Sequence, residues 1–199
     1  MHSRRLSTLL LGLWLGGCLF MGWVAMHNLG AVDEAMKNPS DRVQRELRDI
    51  GLDRARTVLR FQASELNRNY FSTWELVQIV LGIVTAITLL FATNGNRLVM
   101  TLAAAMLALV IIQHLTITPQ MIEIGRGLDF APPDDMLDER KSHRGYHSYY
   151  SWLEVLKVLL GVGLAGRMLF AKTASGRKRR SARKKLDTVD DPDDSHIDG

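Results

Sequence analysis

Trp74-Glu75-Leu76-Val77-Gln78-Ile79-Val80-Leu81-Gly82-Ile83-Val84-Thr85-Ala86-Ile87-Thr88-Leu89-Leu90-Phe91-Ala92 decides the fold, together with the turn Thr93-Asn94-Gly95-Asn96-Arg97 and the run Leu98–Thr118 behind it. Two apolar stretches of roughly 20 residues stand either side of a short polar turn, and about 20 helical residues at 1.5 Å each cross the ~30 Å hydrocarbon core of a bilayer. Asn94-Gly95 is a turn signal, so the two stretches read as a transmembrane helical hairpin. Glu75, Gln78 and Gly82 fall at i, i+3 and i+7, on one helix face. Ionisable groups at membrane depth are costly and turn toward a bundle interior, so this hairpin requires further helices.

Those helices lie on both sides. Toward the N-terminus, Leu6–Met26 is an apolar block preceded by Arg4-Arg5. A cleaved signal peptide would have an apolar region of ~7–15 residues and a small-residue site; this run is longer and ends in Phe20, Trp23 and Met26. Leu15-Gly16-Gly17-Cys18 resembles a lipobox, but Leu19-Phe20-Met21 continues the apolar run beyond the cysteine. The block therefore reads as a retained helix, 6–26. Toward the C-terminus, Trp152–Ala171 is a fourth apolar block. The sequence thus predicts an all-α protein: a four-helix transmembrane bundle with helices at about 6–26, 74–92, 98–118 and 152–171. The hydrophobic fraction of 47% conceals this, because the apolar residues are segregated into blocks with the charges between them.

The connections carry their own signals. Residues 27–73 form a helical extension outside the bilayer: Asn38-Pro39-Ser40 reads as a turn and N-cap, Val43, Leu47 and Ile50 share a helix face, and nothing breaks a helix between Asp53 and Phe91 except Gly82. Pro119 is expected to end the third helix and to begin a polar loop, 119–148, with Pro132-Pro133 and Asp134-Asp135. The tail, 172–199, holds Arg177, Lys178, Arg179, Arg180, Arg183, Lys184 and Lys185, then a run of aspartates, and reads as disordered. Basic residues abutting the first helix and following the fourth place both termini in the cytoplasm, in a plasma membrane or, for a bacterium, the inner membrane. The basic cluster also has the composition of a nuclear localisation signal or a nucleic-acid patch. Directly after a membrane helix it reads as a topology anchor against lipid headgroups, with no nucleic-acid role.

The second and fourth helices match each other without gaps from Tyr70 and Tyr149 onward, with nine identities in 23 positions, among them Ser72 with Ser151, Glu75 with Glu154 and Gly82 with Gly161. This reads as a helical hairpin copied once. Gly82 and Gly161 are then close-packing positions. In the predicted topology the outer half of the bundle gathers His27, Glu75, His114, His147 and Glu154, with His143 and Tyr146, Tyr149 and Tyr150 nearby. Histidine and carboxylate suit zinc or copper, and facing histidines suit haem; the same residues also suit a polar membrane interface and its aromatic belt. No cofactor is specified by any spacing. The sequence contains no Gly-rich phosphate loop, GxSxG or HExxH motif. The single cysteine, Cys18, excludes an internal disulfide.

Leu11-Gly12-Leu13-Trp14-Leu15-Gly16-Gly17 with Val24-Ala25, Leu115-Thr116-Ile117-Thr118-Pro119, and His147-Ser148-Tyr149-Tyr150-Ser151 resemble motifs of the transmembrane protein 205-like family, over about residues 6–171. That resemblance implies a four-helix membrane bundle and supplies no chemistry, and the charged 27–73 segment is longer than the family pattern. The expected function is a non-catalytic scaffold or accessory subunit, with membrane lipids and a protein partner or a second copy as its contacts. The competing expectations are a metal, haem or lipophilic small-molecule site in the outer half of the bundle, and a small oligomeric transporter or channel.

Overall fold

The computed structural model describes residues 2–47, 49–132 and 134–187, and the side chains of 3–47, 49–132 and 134–170. The described chain is all helical, with no strand. The helices are α1 (His2–Lys37), α2 (Asp41–Glu46), α3 (Leu52–Thr93), α4 (Arg97–Ile112), α5 (Thr118–Leu128) and α6 (Leu137–Asp187), with a π-helical segment, Gln113–Ile117, joining α4 to α5. Among the described residues three helical rods, Ser3–Lys37, Leu52–Thr93 and Arg97–Leu128, are long and apolar enough to cross a membrane. The long helices close a ring: α1 packs on α3, α3 on α4, α4 on α6, and α6 on α1.

The packing is inverted relative to a water-soluble domain. In the apolar half of α3 the buried positions are Glu75, Gln78, Gly82, Thr85 and Leu89, one stripe at helical spacing, while Val77, Val80, Ile83, Val84 and Ile87 face outward. Phe20, Trp23, Ile112, Leu115, Trp152, Leu159 and Phe170 are likewise exposed. The core between the helices consists of Leu11, Trp14, Cys18, Leu89, Val99, Ala103, Met106, Val110, Leu164 and Met168. Contiguous exposed apolar surface on this scale is a liability in water and the normal exterior of a protein in lipid.

The expected boundaries hold in part. Ser40 caps α2 by accepting from the Val43 amide, and Asn94 (φ 50°) with Gly95 (φ 71°) makes the left-handed turn between α3 and α4. α3 is one continuous helix, as the absence of breakers predicts. Four boundaries move outward. α1 runs on to Lys37 because its polar end lies against α3: Asn28 donates to Asn67 at 2.6 Å and Arg56 to Asp33 at 2.8 Å. Pro119 does not end the third rod. A proline ring collides with the carbonyl four residues back and has no N–H to donate. Here the turn before it widens, with the Thr118 amide reaching Gln113 O, and the helix continues to Leu128. The fourth helix also begins early, at Leu137 and not at 152, so the loop expected at 119–148 is only 129–136, held by Arg140 on the carbonyls of Ala131, Pro132 and Asp135. Finally, α6 is helical through Asp187, where the sequence reading has a disordered tail; Lys and Arg are good helix formers, and Gly176 alone interrupts them. The basic cluster Arg177–Lys185 lies on this stretch, with its side chains outside those described; residues 188–199 also lie outside the described residues.

Candidate functional site: a polar centre between the helices

Five elements bring polar groups into one buried place. α1 supplies Trp14 and Cys18, α3 supplies Trp74, Glu75 and Gln78, the π segment and the start of α5 supply Gln113, His114 and Thr118, and α6 supplies Tyr150, Glu154 and Lys157. Glu75, Gln78, Gln113 and Lys157 are fully buried. A buried charge or amide is costly unless hydrogen-bonded, so the partners matter more than the burial.

Glu75 is held from the π segment and α5. His114 Nδ1 lies 3.1 Å from Oε2, and Thr118 donates to Oε1. The wide π turn sets this geometry, since one extra residue per turn rotates the following residues about the axis; π segments recur at functional sites. Lys157 is the second hub. Its ammonium donates to Glu154 at 2.6 Å, one turn away on α6, and across the interior to Gln78 Oε1 at 2.9 Å. The same Gln78 oxygen accepts from the Trp14 indole at 3.0 Å. Gln113 donates to the Tyr150 carbonyl at 3.2 Å and to Glu154 at 3.4 Å. The Lys157 hub sets opposite charges side by side, and the Glu75 hub gives a buried carboxylate two hydrogen-bonding partners, as burial of ionisable groups requires.

The partnering is incomplete. Trp74 Nε1, Gln78 Nε2, Gln113 Oε1, Tyr150 Oη and Glu154 Oε2 are buried with no hydrogen-bond partner, as is Thr85 Oγ1 two turns further along α3. Folded proteins leave few such atoms, and those that persist mark a water, an ion or a site. Beside the centre an open cleft of about 520 Å³ is lined by Ser72, His114, Thr118, Pro119, Ile122, Glu123 and Arg126. His114 and Thr118 form its inner wall, and Glu75 lies behind them.

The sequence-predicted candidates separate into two groups. Glu75 and His114 meet directly, and Glu154 joins the same centre through Gln113 and Lys157. His27 is exposed and stacks on Trp23, with centroids 4.4 Å apart, and His147 is exposed on α6. Among the described residues no group of three or more His, Cys, Asp or Glu could hold a metal ion. Gly82 faces the Trp14 ring and Leu107, and Gly161 faces Leu15 and Met106. Sequence reasoning missed Trp14, Cys18, Trp74 and Thr118. Leu11, Trp14 and Cys18 lie on one helix face, a legible signal, but nothing in the sequence says which neighbour that face meets.

Outside the apolar zone, Arg68 donates to both oxygens of Asp129, at 2.7 and 2.9 Å, and to Glu65 at 2.6 Å, and Arg126 also donates to Glu65. The Arg126 and Arg68 guanidiniums hold the Glu65 carboxyl below its usual range. This cluster ties α5 to α3. His143 lies against it, with burial and then the neighbouring His147 lowering its affinity for a proton.

Comparison of the chain with models of known families, with curated proteins and with solved structures finds no match.

Proposed function

We propose that this is a multi-pass membrane protein, four helices crossing the bilayer with both termini cytoplasmic, whose polar centre receives a small uncharged polar guest. The single observation that carries this is the set of buried, unpartnered hydrogen-bonding atoms: donors on Trp74 and Gln78, acceptors on Gln113 and Glu154, and the Tyr150 hydroxyl, which can act either way. Gln78, Lys157, Glu154, Gln113 and Tyr150 are linked in series by hydrogen bonds, and a guest with both donors and acceptors would satisfy the atoms those bonds leave over. Water or a small amide- or alcohol-like molecule fits that description. An ion fits less well, because Lys157 already stands against Glu154 and the oxygens of Glu75 are taken up by His114 and Thr118. His27 and His147 are both exposed, on α1 and α6, and among the described residues neither is hydrogen-bonded to the buried centre, which favours such a guest over a haem held by these two histidines. The matching of Glu75 with Glu154 and of Gln78 with Lys157, the latter pair in direct contact, supports a centre made by a duplicated hairpin.

The test compares two tryptophans in the full chain in micelles by NMR. The Trp14 indole N–H is bonded to Gln78 and is expected to show no contact with solvent. The Trp74 indole N–H is expected to show cross-relaxation with water or with a bound molecule. Contacts from Trp74 to protein protons alone would remove the guest.

A scaffold or accessory-subunit role has its own support. Ile50, Leu52, Val58, Leu59 and Leu66 remain exposed on the polar extension, outside the apolar zone, where lipid does not cover them. A protein partner or a second copy of the chain would. No catalytic role is proposed.

A further inference from the structure

We propose that Glu75 and His114 form a proton-loading site, with His114 as the port through which the buried carboxylate exchanges protons with the cleft. The inference concerns this pair alone and stands whether or not the polar centre holds a guest. Three observations carry it. Glu75 is fully buried while the His114 side chain keeps 26% of its surface exposed, so the ring spans the wall between interior and cleft. Its Nδ1 edge faces Glu75 Oε2 at 3.1 Å, and the ring lines the cleft. Thr118 occupies the other carboxylate oxygen, which leaves Oε2 as the atom that gains or loses a proton.

The proton balance is simple. With neutral His114 carrying its hydrogen on Nδ1 and Glu75 ionised, the pair has one negative charge. A cleft water or hydronium then gives a proton to Nε2: an N–H bond forms there and an O–H bond breaks in the donor. The shared Nδ1 proton can pass to Oε2, breaking the N–H bond and forming an O–H bond, which leaves a neutral acid hydrogen-bonded to a neutral imidazole. Both states keep the hydrogen bond between the two residues. The groups that bear on the pair come from every surrounding element. Lys157 and Tyr150 approach from α6, Thr118 from α5, and Cys18 on α1 lies across the centre; Glu123 and Arg126 of α5 share the cleft, Arg126 being held by Glu65 of α3.

Infrared titration of the full chain in lipid reads the carboxyl directly. A protonated-carboxyl band of a buried group, resolved from the other acidic side chains by its frequency and its slow response to deuterium oxide, is expected to grow as the pH falls, to vanish in Glu75→Gln and to persist in Glu154→Gln. In His114→Gln, which keeps a hydrogen-bonding side chain but cannot titrate, its midpoint is expected to move by about one to three pH units. A band that survives Glu75→Gln, or that keeps its midpoint in His114→Gln, overturns the assignment. The native chain offers a measurement free of substitution. With 15N-labelled histidine, one imidazole is expected to retain a hydrogen-bonded Nδ1 while its Nε2 titrates; if no imidazole behaves so, the proposal is equally overturned.

Discussion

Glycine positions show how tightly the helices approach. A Cβ added at Gly82 would stand 2.9 Å from the Trp14 ring, and one at Gly17 would run into the Trp74 ring. The Trp14 ring cannot turn aside easily, since its indole N–H is tied to Gln78, and at Gly17 the overlap with the Trp74 ring is the deeper of the two. At Gly161 the obstacles are the flexible ends of Leu15 and Met106, and at Gly12 nothing lies within 4 Å. Gly17→Ala and Gly82→Ala are therefore expected to destabilise by about 1–3 kcal/mol, the usual cost of overpacking. Gly161→Ala should cost less, and Gly12→Ala should be neutral or slightly stabilising, as loss of chain entropy in the unfolded state predicts. Unfolding from mixed micelles by titration with a denaturing detergent measures the order. Equal effects at Gly82 and Gly12 would contradict the packing described. The sequence marks Gly82 and Gly161 through their place in the repeat; Gly17 goes unmarked because its obstacle, Trp74, is distant in the chain.

The α5–α6 junction responds to pH in a defined direction. His143 stands against Gly125 and Arg68, where burial makes its folded-state pKa lower than the ordinary 6.5. Above 6.5 both folded and unfolded chains hold it neutral. As the pH falls below 6.5 the unfolded state takes up the proton first, so stability declines from 6.5 down through the folded pKa. The Glu65 ion pairs act in a separate window, contributing above the carboxylate's ordinary 4.5 and lost as the pH falls through its lowered folded value. Hydrogen exchange of the α5 amides, corrected for intrinsic rates, should show protection falling below pH 6.5 in the native chain and not in His143→Gln. A flat profile in the native chain would contradict this. Elements of this kind were the least legible in the sequence. Pro119 ends a helix in most contexts, and only the π turn at Gln113–Ile117, which depends on tertiary packing, carries the rod past it to Leu128. The continuity of α3 and the Ser40 cap, by contrast, rest on local chemistry and were readable in advance.

For the whole molecule, the distribution of polarity matters more than any single contact. The stripe Glu75, Gln78, Gly82 and Thr85 is buried, Lys157 faces it from α6, and the outward positions are Val, Ile, Leu and Phe. The apolar blocks made the membrane assignment legible, and helical spacing placed Glu75, Gln78 and Gly82 on one face. The joining of Gln78 to Lys157 and of Glu75 to His114 was not legible, because which face meets which is set by the ring in which α1, α3, α4 and α6 pack. The account rests on that inverted arrangement standing in lipid. Spin labels placed singly along α3, in a Cys18→Ser background reconstituted into liposomes, test it most directly through collision with oxygen, which concentrates in lipid, and with a water-soluble nickel reagent. The account predicts oxygen maxima at Val77, Val80, Val84 and Ile87 and minima at Gln78 and Thr85, with the nickel reagent excluded from the first set. Ready nickel collisions at Val80 and Val84 would place that face in water and contradict it.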